Sequence, residues 1–240
     1  MVYYHSKVKS DNMKKRREKI LKLIVDNYVL NTDPVGSKFL AEKGGLGVSG
    51  ATLRNEMRDM EKEGFLSQPH TSAGRIPTEK GYKYYIENIL EKNKPDDVVC
   101  TQIKKLIDKK NSTKENKKKI AKYLANLCNC AVIIAFDGTS IYYTGLSNLF
   151  SQPEFREYKR VLSFSSIFDE VEDKVEDLYS ISKNEKVKIL IGSDSPFGSV
   201  SSSMIAGLGN NDILTVLGPI RMNYHRNYNL LNFIQSIFNN

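Results

Sequence analysis

The stretch SGATLRNEMRDMEKEGFLSQPHTSAGRIPT, residues 49–78, decides the fold predicted for the N-terminal region. Ser49 stands immediately before a run of apolar residues at helical spacing, and serine is one of the residues favoured at that position. Leu53, Met57 and Met60 recur at i, i+4 and i+7, which places them on one side of a helix. The pattern therefore predicts a helix that begins after Ser49 and packs its apolar side on a core.

A short strand, a turn and a returning segment are predicted after this helix. Gly64 stands where a helix commonly ends in a left-handed residue, and Phe65 and Leu66 begin a strand. Pro69 interrupts the pairing, because proline lacks the backbone N–H that a strand needs. The segment HTSAGRIP then predicts a turn of small residues that leads back along the strand.

Three further helices are predicted around this stretch. The segment KKRREKILKLIVDNYVLN, from Lys14, has apolar residues on one helical stripe: Ile20, Leu23, Ile24 and Tyr28. A shorter helix is predicted within TDPVGSKFLAEKGGLG, and another within TEKGYKYYIENILEK. Three helices followed by a strand, a turn and a returning segment form the outline of a winged helix-turn-helix, a fold that reads DNA.

Polar residues on the helix after Ser49 have the chemistry that base recognition requires. Thr52, Asn55 and Arg58 lie away from the apolar stripe, and Arg54 and Arg58 are i, i+4 neighbours. Asparagine and arginine can form the paired hydrogen bonds that distinguish adenine and guanine in the major groove. The alternative is a solvated face on which the arginines pair with neighbouring carboxylates of the same helix.

The turn HTSAGR presents His70, Thr71, Ser72 and Arg75 on a thin tip of small residues. Such a tip can follow a phosphate backbone or enter a minor groove, where arginine is favoured if the groove is narrow. We therefore interpret the helix and the turn together as a predicted DNA-binding surface.

The distribution of charge supports a polyanionic partner for the basic part of the chain. The net charge of +8 divides into +5 for residues 1–90, +6 for residues 91–130 and −3 for residues 131–240. Basic regions joined to a mildly acidic half are typical of proteins that contact nucleic acid at one end. For residues 91–130, where the excess is all lysine, a lysine-rich composition without any partner explains the charge equally well.

The C-terminal half predicts an α+β domain with about five strands. Residues 1–12 are expected to be a flexible tail, and residues 92–119 a lysine-rich linker with one amphipathic helix through Val98, Ile103 and Ile107. Residues 13–91 form the predicted winged helix, and residues 120–240 the second domain. Its predicted strands lie in CAVIIAF, IYYTG, VKILIGS, VSSSMIAGL and DILTVLGPI.

The sequence predicts no catalytic, cofactor or metal site. Three cysteines are too few for a disulfide framework, and CNC at 128–130 is interpreted as two half-buried thiols, with metal chelation as the alternative. The histidines are far apart, namely His5, His70 and His225. No apolar run approaches the ~18 residues of a membrane span, and the N-terminus is no secretory signal. We expect a cytoplasmic, nucleoid-associated protein without a membrane partner.

Long stretches of the chain resemble the HrcA family of heat-inducible transcription repressors of bacteria. The RNEM helix with QPHTSAGRIPT is the most specific part of this resemblance, which covers nearly the whole chain from Lys14 in the family's order. The matching stretches are residues 33–90, GLSNLFSQPEF at 145–155, VKILIG at 187–192 and LGPIRMNY at 217–224.

The resemblance implies a winged helix-turn-helix followed by a GAF-like regulatory domain, and a protein that catalyses no reaction. It implies a homodimer that binds an inverted-repeat operator in double-stranded DNA and represses chaperone genes until heat stress releases it. It also implies the chaperonin GroEL as a partner that keeps the repressor active. The predicted DNA-binding residues are Lys38, Ser49, Thr52, Arg54, Asn55, Arg58, His70, Thr71, Ser72 and Arg75.

The chain departs from the family pattern in its second domain. Family members are typically about a hundred residues longer, whereas here only DGTS, residues 137–140, separates AVIIAF from IYYTG. The inserted dimerising domain is therefore expected to be missing and the GAF-like fold reduced, and dimerisation is assigned to that domain or to residues 78–92. Two alternative functions remain open: a regulator whose GAF-like domain senses a small ligand, and an RNA-binding or scaffold protein that uses lysine-rich 91–122.

Overall fold

Helices and strands occur in both halves of the chain, which makes the fold α+β, as the sequence predicted. The computed structural model describes residues 2–107, 113–138, 140–182 and 186–238, with side chains from residue 14 onward. It divides into two units, Met1–Leu90 and Glu91–Asn240, and each unit is described by itself.

The described residues of the first unit form four helices and a two-stranded antiparallel sheet. Leu66 pairs with Pro77 and Ser67 pairs with Ile76, so the two strands form the stem of a hairpin. The elements, in chain order, are α1 (Val2–Asn31), α2 (Ser37–Lys43), α3 (Gly50–Lys62), β1 (Leu66–Ser67), β2 (Ile76–Pro77) and α4 (Glu79–Asn88).

The core of the first unit is formed by the apolar stripes of these helices. On α3 the predicted residues Leu53, Met57 and Met60 are all buried. On α1 the buried stripe is centred one residue away from the predicted one, because Leu21 and Val25 are buried whereas Leu23 is only half-buried. Each fully buried aliphatic side chain contributes about 1.5–3 kcal/mol to folding, so these stripes fix the helices against one another.

The N-terminal residues differ from the expected flexible tail, since α1 already begins at Val2. Residues 2–12 contain neither glycine nor proline. The local sequence therefore contains no helix breaker, and the helix that is buried further along extends backwards through these residues.

The second unit contains a five-stranded antiparallel sheet within its described residues. The strand order is β4-β3-β7-β6-β5, which leaves β4 and β5 at the two edges. Its elements are α5 (Asp97–Leu106), α6 (Lys114–Cys128), β3 (Ala131–Phe136), β4 (Ser140–Thr144), α7 (Leu146–Phe150), α8 (Tyr158–Asp169), α9 (Val175–Ser182), β5 (Lys188–Ile191), β6 (Ser201–Gly207), β7 (Ile213–Pro219) and α10 (Tyr224–Phe238).

Residues 92–119, which the sequence predicted to be a linker with one amphipathic helix, contain that helix as α5 and also the start of α6. Cys100 and Ile103 are buried on α5, which gives that helix an apolar side that needs a packing partner. Val98, predicted on the same side, is instead 65% exposed. Thr113 caps α6 by accepting a hydrogen bond from the backbone N–H of Asn116, so α6 begins within residues 92–119, which the sequence predicted to be a linker. Residues 108–112 lie outside the described residues.

A tight hairpin joins β3 to β4 at the position where the sequence lacks the family's insert. Phe136 and Ser140 are paired across it. The carboxylate of Asp212 accepts a hydrogen bond from the backbone N–H of Asp137 at 3.0 Å and binds the ammonium of Lys117 at 2.7 Å. The turn is thereby tied to the β6–β7 loop and to α6.

Candidate nucleic-acid interface

The start of α3 is fixed by a side-chain cap. The Ser49 hydroxyl accepts a hydrogen bond from the backbone N–H of Thr52 at 3.2 Å, and the two hydroxyl oxygens lie 3.0 Å apart. This confirms Ser49 as the residue that precedes the helix. The cap satisfies one of the N–H groups that a helix leaves open at its first turn.

The side of α3 opposite the buried stripe is open to solvent. Arg54, Asn55 and Arg58 are exposed on it, and Thr52 lies half-buried at its edge. Lys62 extends the same side by one turn and is also exposed. This face combines cations with an amide, the side-chain types suited to phosphates and base edges.

The carboxylates of α3 are bound by cations from other parts of the first unit. Glu56 is buried and accepts hydrogen bonds from Nε of Arg16 at 2.9 and 3.1 Å, and this contact raises the pKa of the Arg16 guanidinium above its ordinary value. Glu61 binds Nη2 of Arg75 at 2.8 Å. The Asp59 carboxylate lies 3.7 Å from Arg17.

In the part of the chain that the structure describes, these pairings leave the two arginines of the exposed face without a carboxylate partner. Among the described residues, neither Arg54 nor Arg58 forms an ion pair. The solvated face with arginines paired to Glu56, Asp59 or Glu61, which the sequence left as an alternative, is therefore not the arrangement in the structure.

The turn between β1 and β2 is braced by a glutamine side chain. The amide Nε2 of Gln68 donates hydrogen bonds to the carbonyl oxygens of Thr71 at 2.8 Å and Ala73 at 2.9 Å. The backbone N–H of Ala73 donates to the carbonyl of His70 at 2.8 Å. His70, Thr71 and Ser72 are exposed at the tip. The turn is thus a shaped loop, and Gln68 is a positioning residue that sequence reasoning missed.

Gly74 lets the turn lie directly against the segment before α2. A Cβ at this position would come within 2.4 Å of the backbone carbon of Val35, a distance that real side chains do not adopt. The adjacent residue, Arg75, forms two backbone hydrogen bonds of 2.9 Å with Val35. A glycine preceded by the small residues Ser72 and Ala73 was the available sequence signal for this close approach.

Arg75 does not lie at the tip, where the sequence placed it. Its side chain is only 15% exposed and is held by Glu61, and its backbone pairs with Val35 at the base of the turn. The reason is tertiary: the carboxylate of Glu61 from α3 lies within reach and neutralises the guanidinium. Arg75 thus links the turn to α3.

A groove of about 500 Å³ lies between α2, α3 and the turn. Lys38, which is exposed in the first turn of α2, and Arg54 line it together with Thr71, Ser72 and Arg75. No aspartate or glutamate is among the described residues that line it. The structure thus brings five predicted residues around one basic groove, whereas Asn55 and Arg58 lie on the open face of α3.

Other chemistry considered from the sequence has no comparable site. Cys128 and Cys130 are buried rather than half-buried, and burial raises the pKa of Cys128 and raises that of Cys130 to about 12. Within the described ranges, no three histidine, cysteine or acidic side chains are grouped so that they would hold a metal ion. His5 lies outside the residues with described side chains. Of the helices that the structure describes, none has the length and apolar character of a membrane span.

A family model described as "HrcA protein C terminal domain" matches residues 85–227, which is more than half of the chain. The chain belongs to the HrcA family. The HrcA proteins that it resembles are each named as a heat-inducible transcription repressor. The relative from Carboxydothermus hydrogenoformans is 28% identical over an alignment that covers 91% of this chain and 95% of that one.

Two other HrcA relatives match mainly over a shorter stretch. The protein from Desulfitobacterium hafniense is 48% identical over 97 residues, and that from Desulforudis audaxviator is 52% identical over 80 residues. These matches cover 40% and 33% of this chain, but only 27% and 23% of the respective relatives. The chain therefore aligns with about a quarter of the length of each of these two relatives.

The full-length HrcA alignment also shows how much shorter this chain is. The Carboxydothermus alignment has 326 positions, of which about 100 have no counterpart in the aligned 91% of this 240-residue chain. A crystal structure described only as that of a hypothetical protein has the same fold, with a TM-score of 0.70 and 18% identity over 93% of this chain and 95% of its own.

Proposed function

We propose that this chain is a transcriptional repressor of heat-shock genes, which binds double-stranded operator DNA through α3 and the β1–β2 turn. The observation that carries the proposal is the ion pairing around α3. Because Arg16, Arg17 and Arg75 occupy its carboxylates, Arg54 and Arg58 face solvent with their charges available. The HrcA relatives are named as heat-inducible transcription repressors, which supports the same conclusion.

The first unit is proposed to be a winged helix-turn-helix. In this interpretation α2 and α3 are the helix-turn-helix, α3 is the recognition helix, and the β1–β2 turn is the wing. The capped and exposed α3 enters the major groove, where Asn55 and Arg58 bind base edges. Lys38, Thr71 and Ser72 bind phosphates from the basic groove and fix the register of the helix.

Arg75 and Ser49 have supporting roles in this proposal. Arg75 keeps the wing attached to α3 through Glu61, and Ser49 fixes the first turn of α3 by its cap. His70 lies exposed at the wing tip, close enough in sequence to Thr71 to contact the same strand of DNA. Direct contact with DNA is therefore divided between the open face of α3 and the tip of the wing.

Repression follows from occupancy of the operator. A homodimer bound to an inverted repeat over the promoter excludes RNA polymerase, because the two-fold symmetry of the protein matches that of the site. The second unit, which we interpret as a reduced GAF-like domain, holds the two copies together. The chaperonin GroEL is the partner proposed to keep the repressor folded and active, and heat shock removes that support.

Gel-shift and footprinting experiments test the proposal with the inverted repeat upstream of the chaperonin genes of the same genome. Asn55→Ala is expected to lose about 1–3 kcal/mol of binding on this operator and little on random duplex DNA. Asn232→Ala, which changes an exposed asparagine on α10, is the matched control and is expected to bind like the unmodified protein. Equal losses on both DNAs would contradict base reading by Asn55, and an unprotected repeat would contradict the function.

The salt dependence of binding tests the phosphate contacts separately. Removing one lysine or arginine that binds a phosphate lowers the slope of log affinity against log salt by about 0.9. We expect this decrease for Lys38→Ala. An unchanged slope would exclude Lys38 from the phosphate contacts.

The ligand-sensor and RNA-binding alternatives have less support. The second unit has an open cavity of about 390 Å³ beside Tyr179 and Asp212, but the polar groups of both residues already hold hydrogen-bond partners. RNA binding would use the lysine-rich segment 91–122. Several lysines of this segment already lie over aromatic rings of this chain, such as Lys114 over Phe136. Thermal-shift screening with metabolites and competition with single-stranded RNA distinguish these alternatives from operator binding.

A further inference from the structure

A cavity of about 320 Å³ lies in the first unit between α1, the end of α3 and α4, on residues that the basic groove does not use. Its walls are mostly apolar and are formed by Leu21 and Met60, which are buried, and by Phe65 and Tyr84, which are half-buried. The rings of Phe65 and Tyr84 meet edge to face, with their centroids 5.2 Å apart. A small cavity with apolar and aromatic walls and a few polar groups is typical of a site for a small molecule.

Two carboxylates border this cavity, and both already accept hydrogen bonds from the chain itself. Glu18 accepts one from the Tyr84 hydroxyl at 2.8 Å, and Glu63 accepts one from Nη1 of Arg17 at 2.8 Å. Burial and the hydrogen bond to Glu18 raise the pKa of the Tyr84 hydroxyl, so the phenol stays protonated and continues to donate. The groups of the cavity that still require a partner are therefore its cations.

The positive groups of the cavity are Lys14 and Arg17. Lys14 is exposed at the rim and forms no ion pair among the residues that the structure describes. The Nε–H of Arg17 is buried and, within the same part of the chain, has no hydrogen-bond acceptor. A buried donor without an acceptor is unfavourable, because the water that it has lost is not replaced. An anion beside Lys14 would supply a counter-charge to the ammonium and an acceptor to the guanidinium.

We propose that this cavity binds a small aromatic carboxylate and that its occupancy regulates DNA binding. The ring of the ligand lies against Leu21, Met60 and the two aromatic side chains, and its carboxylate lies on Lys14 and Arg17. The edge-to-face pair of rings in the wall favours an aromatic ligand, because a third ring can pack against it in the same way. The volume, at the low end for small-molecule sites, suits one or two fused rings rather than a long acyl chain.

The cavity adjoins both parts of the proposed DNA-binding surface. Met60 lies in the last turn of α3, Glu63 is its C-terminal cap, and Phe65 immediately precedes β1. Arg17 holds this end of α3 through Glu63 and, at 3.7 Å, through Asp59. A ligand carboxylate competes for the same guanidinium, so we expect it to loosen the end of α3 and to weaken DNA binding. This regulation rests on the proposed function and deepens it, whereas binding of the ligand does not depend on it.

Isothermal titration calorimetry of the full chain with 1-naphthoate tests the site in the absence of DNA. We expect saturable binding with a Kd below about 1 mM. The neutral 1-naphthamide keeps the two rings but lacks the negative charge, and it is expected to bind at least about 10-fold more weakly. A titration with 1-naphthoate that shows no saturable binding, or equal affinities for the two compounds, would overturn the site.

Charge variants of α1 test the position of the carboxylate. Lys14→Gln is expected to raise the Kd for 1-naphthoate about 10-fold, because it removes the unpaired cation at the rim. Lys15→Gln, at the next exposed position and outside the cavity, is the matched control and leaves this Kd unchanged. Glu18→Gln keeps an oxygen for the Tyr84 hydroxyl but removes a negative charge beside the ligand, so it is expected to lower the Kd about threefold. Equal losses for the two lysine variants, or weaker binding by Glu18→Gln, would overturn the assignment.

Binding to one half of the inverted repeat separates the regulation from the proposed function. Saturating 1-naphthoate is expected to weaken half-site binding about 10-fold, and half-site DNA is expected to weaken 1-naphthoate binding by the same factor, because coupling between two sites is reciprocal. Binding of 1-naphthoate with an unchanged half-site affinity overturns the regulation. A chain that binds 1-naphthoate but no operator DNA overturns the proposed function and leaves the ligand site standing.

Discussion

Replacing Lys117 by methionine tests whether the buried ion pair holds the hairpin that stands in place of the missing insert. The Lys117 side chain is 1% exposed and that of Asp212 is 9% exposed. Methionine preserves the apolar stem and fills nearly the same space, but it removes the ammonium. The Asp212 carboxylate then stays buried with the Asp137 backbone N–H, at 3.0 Å, as its remaining hydrogen-bond partner among the described residues.

The expected loss in the free energy of unfolding follows from the burial of this ion pair. Breaking a buried pair from one side costs about 3–5 kcal/mol, and the remaining hydrogen bond from Asp137 places Lys117→Met near 3 kcal/mol at the lower end. That is a large part of the 5–15 kcal/mol typical of a whole domain. Since about 1.4 kcal/mol corresponds to a factor of ten, amides in β3 and β7 that exchange through unfolding of this unit should exchange about 100-fold faster.

Hydrogen–deuterium exchange of the full chain measures this change locally. Lys119→Met, two residues along the same helix at an exposed position, is the matched control and should change exchange less than about twofold. Combining Lys117→Met with Asp212→Asn removes the unpaired charge but keeps a side-chain oxygen that accepts the hydrogen bond from the Asp137 backbone N–H. The double variant should therefore recover more than half of the lost free energy of unfolding. An increase in the exchange rate below about threefold for Lys117→Met, or a double variant as unstable as the single one, would refute the reasoning.

Three other changes follow from particular contacts. Arg58→Ala should weaken operator binding by about 1–3 kcal/mol without changing the unfolding midpoint. Arg75→Ala should lower both the operator affinity and the unfolding midpoint, because it removes the ion pair that holds the turn. Gel shifts measure the affinity and urea titrations measure the midpoint. Gly74→Ala should displace the turn from Val35 and reduce binding at least about 10-fold, and an unaltered affinity in the gel shift would argue against a contact through this turn. Burial raises the pKa of the Cys130 thiol to about 12, so this thiol should resist alkylation at about pH 8 in the native chain and react only after denaturation. Rapid labelling of the native chain, detected by mass spectrometry, would contradict this prediction.

Much of the fold was predictable because it depends on local pattern. The cap at Ser49 and the buried stripe of α3 follow from residue type and spacing within one helix. The strands of the second unit were predictable from short apolar runs between turns. The place of α5 in the second unit was not, because the burial of Cys100 and Ile103 depends on elements distant in sequence.

The candidate site likewise has features that the sequence predicts and others that it does not. The residue types that suit DNA, Asn55 and Arg58, could be read from their positions relative to the apolar stripe. The bracing role of Gln68 could not, because an amide that holds a turn and an amide that faces solvent look the same in sequence.

The sequence by itself determined which side of α3 is apolar and which side carries the arginines, since both follow from helical periodicity. Only the tertiary structure decided which arginines are available. Glu56 binds Arg16, 40 residues away, and Glu61 binds Arg75, 14 residues away. Charges separated along the chain become partners only when packing brings them together, and this packing withdraws Arg75 from the turn tip while leaving Arg54 and Arg58 exposed.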